Sequence, residues 1–501
     1  MRRWITIPVG GGLPANPVAP GYTPLPSITP TLTVVSNTKI NVGFSIPVGA
    51  IPTPPTPDVP SFYLQRSLTG TDPWTVLGTF NSSQSGSAYV YTYADTGLNP
   101  GATYYYRAAI VTQETPSRQS AWGGTVSATT TSSSGVKFHY GWYVLSSQVD
   151  IPQNSGSTGS WWSNTKNEIN QVSGQTSNIK GFVVNIEWAV LESTQGTYNF
   201  ADIDTAYNYV TSQGLRLGLQ ISIEHFATDP TETVPTYIYN NPSTYGAGQD
   251  GTHGGYWTLG FGSIQGCVVA WWRSAVYARI EALYAALAAH VLPSGNTVDA
   301  DPLVEIVGIG ESALSFYPNT PSDYSIGTAE TAWQAMQASF VGSFPHTNVL
   351  DQNNYLGTQA VTANTMYADG TAGVAIGGPD IFTGATTNWT WSQQGYRGQF
   401  GAYGSGNGFT VDLAGTFPYI AHIESPDFGA ISDLFNTATA SSPTAGLKAS
   451  HVLVAIVNKG ANQPGDWATV VLPFIQNNPI PSNNNVCSSV YVNSRGGCNS
   501  S

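Results

Sequence analysis

Between residues 26 and 131, apolar and polar positions alternate in short runs: "TKINVGFSIP", "SFYLQRSLT", "WTVLGTF", "AYVYTYADT", "TYYYRAAIVT" and "GGTVSATTT". Gly, Pro, Asn and Asp separate them. A period of two puts every second side chain on one face, so these runs predict half-buried strands and, with regular turns, a β-sandwich. From residue 136 the pattern changes. Eight runs are apolar at nearly every position: "KFHYGWYVL", "IKGFVVNIEW", "RLGLQISIEHF", "LVEIVGIGES", "NVLDQNNYL", "AGVAIGGPDIF", "PYIAHIES" and "HVLVAIVNKG". Such runs read as strands buried on both faces.

Helical spacing fills the intervals. "DIDTAYNYVTSQG" carries a capping Asp and stops at Gly214. "RSAVYARIEALYAALAAHVL" sets Ile280, Leu283, Tyr284, Leu287 and Val291 on one face, and "DWATVVLPFIQNN" closes the series. Eight strands with crossovers predict an α/β TIM barrel, (β/α)8, over residues 136–480. An open doubly wound sheet is the other arrangement, but no glycine-rich phosphate turn follows the first strand. "GAYGSGNG", 401–408, lies far from that position and reads as a flexible loop. The fold class is therefore multidomain. A Pro/Gly-rich segment, 1–25, precedes the sandwich at 26–131. A linker, 132–135, leads into the barrel, and a Ser/Asn-rich tail, 481–501, ends the chain.

Composition narrows the function. Only 9% of the 501 residues are charged and the net charge is −13, with no basic cluster, so a nucleic-acid partner is not expected. No apolar run is long enough to cross a membrane. The start, "MRRWITIPVGGGLPANP", is broken by Pro8 and Gly10 to Gly12 and is not a recognisable signal peptide. The composition suits an extracellular or virion-associated protein. The three cysteines are not a disulfide framework; Cys487 and Cys498 could pair across the tail in an oxidising compartment, and Cys267 would be a lone buried thiol. No metal-ligand spacing occurs, and no cofactor is expected.

Barrel chemistry gathers at the carboxyl ends of the strands. The second run ends in Glu187-Trp188, the third in Glu224-His225-Phe226, the fourth in Glu311-Ser312 and the seventh in Glu424-Ser425. The fifth offers Asn353, Asn354 and Tyr355, and the sixth Asp380. Two carboxylates flanking one bond are what glycoside hydrolysis needs, one protonated and one ionised. Glu311 and Glu424 are the candidate catalytic pair, because the fourth and seventh strands face each other. Candidate substrate-binding residues are Glu224, His225, Asn353, Asn354, Tyr355, Asp380 and the aromatics Trp142, Trp188, Trp257 and Trp391, since sugar faces stack on aromatic rings. Glu192 lies beyond its strand and reads as structural. The long segment 228–266 reads as a cleft wall.

Two resemblances add to this reading. "GLNPGATYYYRAAIVT" resembles a fibronectin type III module through Leu98, Pro100, Gly101 and Tyr104, which implies a spacing or adhesive role and a corner tyrosine at Tyr104. The paired glutamates, with Trp188, Glu192, Gly196, Tyr198, Phe200 and Asp204 after the second strand, resemble the clan A retaining glycoside hydrolases. That resemblance implies Glu311 as acid/base, Glu424 as nucleophile and a carbohydrate substrate. In most of that clan an Asn precedes the fourth-strand glutamate; this chain has Gly310. A carbohydrate-binding adhesive protein of phage-tail type without turnover and a cell-wall-lysing glycosidase are the alternatives.

Overall fold

The computed structural model describes residues 24–36, 39–51, 60–96, 98, 102–112, 118–130, 135–261, 264–352, 356, 359–377, 418, 420–423, 426, 429–439, 449–484 and 487–500. The chain divides into two compact units, 1–133 and 134–501.

The first unit holds eight strands: β1 (Thr31–Ser36), β2 (Lys39–Pro47), β3 (Ser61–Ser67), β4 (Thr75–Asn81), β5 (Ser83–Ser85), β6 (Ala88–Thr96), β7 (Thr103–Val111) and β8 (Val126–Thr129). They form two four-stranded antiparallel sheets, in the orders β1-β2-β6-β5 and β4-β3-β7-β8. The alternation explains the core: Ile40, Val42, Phe44 and Ile46 of one sheet and Tyr104, Tyr106, Ala108 and Ile110 of the other are buried in one cluster. Phe44 stacks on Phe62 with ring centroids 4.9 Å apart. Buried Asp95 is paired by Arg66 at 3.0 Å and by the Tyr106 hydroxyl at 2.8 Å. Strands β1 and β5 carry no sequence signal. One is an edge strand with Val34 and Val35 exposed, and the other is three exposed polar residues.

In the second unit all eight apolar runs contain strands. These are β10 (Gly141–Asp150), β11 (Ile179–Glu187), β12 (Arg216–Ser222), β16 (Val304–Ile309), β17 (Asn348–Gln352), β18 (Ala375–Gly377), β19 (Ile420–Ile423) and β20 (His451–Ala455). They form one parallel sheet in the order β18-β17-β16-β12-β11-β10-β20-β19. The Ile376 amide donates to the Pro418 carbonyl at 2.9 Å, joining the two ends of that order. The result is an eight-stranded barrel of (β/α)8 type. Its interior is filled by Tyr143, Leu145, Val183, Ile306, Leu350, Ala375, Ile420 and Leu453. The outward positions, such as Trp142, Val144, Phe182, Val184, Leu217 and Leu219, pack in the larger core with the helices.

Two helix expectations need correction. Helix Ala201–Ser212 begins after Phe200, so Asp202 sits inside its first turn and accepts from the Gly156 amide at 3.1 Å instead of capping. Gly214 does end the helix, at φ +74°. Helix Ser274–Ala289 buries Ile280, Leu283, Tyr284 and Leu287, but Val291 lies past its end and is 58% exposed.

The amino-terminal end of the barrel is sealed by paired charges. Glu305 accepts from the His139 amide and ring at 2.7 Å each and lies 3.3 Å from His451 Nε2. Burial alone would raise this carboxyl; the two histidines outweigh it and hold it well below the usual range. Lys137 Nζ donates to the carbonyls of Asp299 and Asp301 at 2.7 and 2.9 Å. The tail joins this end. Cys487 and Cys498 form a disulfide. Strand β21 (Cys498–Asn499) pairs with β9 (Val136–Lys137), and the Tyr491 hydroxyl donates to Asn348 at 2.9 Å.

Candidate active site

The carboxyl end of the barrel is built differently. Above the apolar plug comes a polar layer, where Gln352 donates to Gln220 at 2.8 Å and Asn185 donates to the Ser146 carbonyl at 2.9 Å. Side chains alternate along a strand, so the residues two further on face the same way. Thus Asn185 is followed by Glu187 on β11, and Gln220 by Ser222 and Glu224. Glu187 and Ser222 are register partners.

Glu311 leaves the fourth strand at the same level. The Gly310 amide donates to the Ile221 carbonyl at 2.9 Å, and the Ser312 amide to the Gln352 carbonyl at 3.2 Å. These two bonds hold Glu311 between the third and fifth strands, half-buried. The nearest atoms a Cβ on Gly310 would meet are in Ser222 and the Ile223 amide, at 3.5 Å, an ordinary contact. The glycine is therefore not demanded by space.

Glu187 and Glu224 are 0% and 8% exposed; among the described residues the Glu224 carboxyl has no hydrogen-bond partner, and Glu187 is approached by the Ser222 hydroxyl alone. Burial pushes both well above the ordinary carboxylate range. For Glu224, the neighbouring charges of Glu311 and Glu187 add to the push. For Glu187, the added push comes from Glu232 and Asp150. Asp150, at the end of β10, is itself raised to about 9 by burial and by Asp202. The mouth of the first four strands is thus a group of carboxyls that act on one another, with Glu187, Glu224 and Asp150 favouring the protonated form. Among the described residues, no three His, Cys, Asp or Glu side chains are arranged to hold a metal.

The third strand continues past the barrel rim. A short strand, β13 (Glu224–His225), pairs with a hairpin made of β14 (Tyr256–Phe261) and β15 (Ile264–Val269), in the order β13-β15-β14. This antiparallel sheet and short helices at Thr236–Tyr239 and Pro242–Tyr245 make up segment 228–266. Register places Glu224, Val268 and Trp257 in one row on one face. Trp257 is partly buried there and donates to the Asn319 carbonyl at 2.7 Å. His225 faces the other way, opposite Cys267, with Nδ1 3.0 Å from Glu232. Adjacent in sequence, Glu224 and His225 are therefore separated by the sheet. Phe226, which follows, is 56% exposed.

Two expected sugar-stacking residues are core residues instead. Trp142 is fully buried, stacks on Phe435 at 5.1 Å and donates to the Asn478 carbonyl. It points outward from β10 because its neighbour Tyr143 fills the barrel. Trp188 is fully buried and donates to Glu192 at 3.0 Å. Glu192 is structural, accepting also from the Gly196 amide, the Tyr237 hydroxyl and Arg279. Glu424, Asn353, Asn354, Tyr355, Asp380 and Trp391 lie outside the described residues. By sequence Glu187 is one of the acids that end the strand runs; its complete burial and its effect on Glu224 are what bring it forward. Asp150 ends a run of polar residues, "SSQVD", and gave no signal.

No protein-family model matches the chain, and no curated protein matches it. Among solved structures it is similar to the catalytic domain of a β-amylase from Paenibacillus polymyxa, at 12% identity over 70% of this chain and 99% of that one, with a TM-score of 0.46. It is similar to a β-glucuronidase from Parabacteroides merdae, at 7% identity over 86% and 47% of the two chains, with a TM-score of 0.32. A third is β-glucuronidase 2 of Bacteroides uniformis, at 7% identity over 86% and 45%, with a TM-score of 0.33. These neighbours are glycoside hydrolases.

Proposed function

We propose that this chain is a retaining glycoside hydrolase of a poly- or oligosaccharide, with Glu311 as acid/base and Glu424 as nucleophile. The observation that carries this reading is Glu311 itself. It leaves the fourth strand half-buried at the carboxyl end of a parallel barrel, beside the buried carboxyl of Glu224. A carboxylate attacks the anomeric carbon while Glu311 gives its proton to the departing glycosidic oxygen. Glu311 then takes a proton from water, and the resulting hydroxide displaces the glycosyl group from the nucleophile. Trp257 lines the wall as a stacking residue, and Asn353, Asn354, Tyr355, Asp380 and Trp391 complete the sugar contacts. The first unit is a fibronectin type III-like spacer with Tyr104 as its corner tyrosine, and the protein works outside the cell or on a virion.

The test is digestion of a glycan panel by wild type, Glu311→Gln and Glu424→Gln. Expected are new reducing ends with wild type and a loss of roughly 10²–10⁴-fold for Glu311→Gln on natural glycans. The loss should be much smaller on aryl glycosides, whose leaving group needs no proton. The first anomer seen by NMR should retain the substrate's configuration. Equal losses on both substrate types would remove Glu311 from the acid role, and an inverted anomer would remove the glycosyl-enzyme. Binding of glycans without new reducing ends would leave a carbohydrate-binding protein.

A further inference from the structure

The second unit holds 25 of the chain's 29 acidic residues and 10 of its 16 Lys and Arg. Most of the described cations are committed away from the mouth. Lys137, Arg216 and Arg495 serve the opposite end of the barrel, Arg279 holds Glu192, and Arg273 holds Asp323 at 2.7 Å. At the mouth, Glu187 and Glu224 are more than nine-tenths buried, and among the described residues Glu224 has no hydrogen-bond partner and Glu187 has only the Ser222 hydroxyl nearby; the titratable groups acting on them are acids, Glu311 and Glu187 on Glu224 and Glu232 and Asp150 on Glu187. His225 is turned to the far face of its sheet, toward Glu232.

A buried carboxyl without a partner is unfavourable unless a ligand supplies the missing donor. Sugar hydroxyls can donate, but they carry no charge to offset a carboxylate. A uronic or sulfated sugar brings acceptors where donors are lacking. An ammonium group donates three hydrogen bonds and carries the charge that lets a buried carboxyl give up its proton. Among the described residues no three His, Cys, Asp or Glu side chains are arranged to hold a metal ion, so the missing donor is sought on an organic group.

We infer that the substrate is a glycan bearing free amino groups, with one ammonium seated between Glu187 and Glu224. The inference rests on the glycosidase reading for the site, but its binding test does not need turnover. The proton balance is explicit. The amino sugar arrives as ammonium, one buried carboxyl releases its proton to solvent, and an ammonium–carboxylate pair remains.

Chitosan, chitin and cellulose oligomers of equal length share one backbone and differ only in an amine, an acetamide or a hydroxyl at carbon 2. Calorimetry with the Glu424→Gln protein, in two buffers of different ionisation enthalpy, compares them. The amine oligomer should bind at least tenfold more tightly than either relative, with release of about one proton per site at pH 6. Glu224→Gln, added to that protein, should bring the three affinities to within about threefold. Equal affinities in the parent, no binding, or no proton release would overturn the inference. Wild-type hydrolysis of neutral glycans without amine preference would overturn it while leaving the glycosidase standing. Amine-selective binding without hydrolysis of any glycan would do the reverse.

Discussion

Two kinds of buried glutamate stand within a few residues of each other in this chain, and their partners tell them apart. Glu192 is fully buried and accepts from Trp188, Gly196, Tyr237 and Arg279. Glu187 is equally buried, and among the described residues only the Ser222 hydroxyl approaches it as a donor. A satisfied buried acid is structural, so Glu192→Gln should destabilise the protein by about 3 kcal/mol, because Arg279 loses its counter-charge. Denaturant unfolding measures this, and a loss below about 1 kcal/mol would remove the ion pair from any large stabilising role. Gly310 gives the opposite expectation. Its backbone is not left-handed and a Cβ there fits, so Gly310→Ala should leave stability unchanged or raise it by about 0.5 kcal/mol. A destabilisation above 1 kcal/mol would mean that the site needs the glycine. At this scale the sequence identified acids at strand ends and read Glu192 as structural. It could not say which carboxyls lack partners, since those come from other strands, nor that Trp142 points outward while Tyr143 points into the barrel.

The elements were legible where one period dominates. Runs apolar at every position contain the eight barrel strands because both faces of a parallel sheet are covered. The hairpin of β14 and β15 was not legible. Its residues "YWTLGFGSIQGCVV" mix glycines with apolar residues, and what makes it a sheet is β13, forty residues away across the long connection. The tail was open for a related reason, since its strand pairs with β9 at the other end of the unit's sequence. That tail is tied by the Cys487–Cys498 bridge, which closes an 11-residue separation. Closing so short a loop should contribute about 3 kcal/mol through the unfolded chain. A Cys487→Ser, Cys498→Ser protein should melt at lower temperature, and wild type in reductant should melt alongside it. If reductant leaves the wild-type melt unchanged while the double variant melts lower, the loss belongs to the serines and not to the bridge.

Across the barrel unit as a whole, charge is scarce and is sorted by end. The amino-terminal end pairs its acids: Glu305 with His139 and His451, and Asp299 with His346 at 2.7 Å. Both acids are held below the usual range; burial opposes this, and their hydrogen-bonded partners win. Their stabilisation is fully present above the ordinary carboxylate pKa and is lost as pH falls from there through the lowered folded value. At the carboxyl-terminal end Glu187, Glu224 and Asp150 are raised above the usual carboxylate range, by burial first and by neighbouring acids second. There the native state binds protons that the unfolded chain has released above a pKa near 4.5 for glutamate. Stability must then fall as pH rises, with Asp150 extending the window to about 9. Lys137, lowered to about 8 by burial, works in the opposite sense only above that pH, so the comparison is made between pH 5 and 8 against a variant that keeps every other titrating group. Melting temperature should decline steadily across that range. In a Glu187→Gln, Glu224→Gln protein the decline should be shallower, since neither amide has a proton to lose, and whatever slope remains belongs to the groups the two proteins share. Parallel melting curves for the two proteins would mean that these glutamates are ionised in the folded state, and the proton-holding mouth would have to be abandoned.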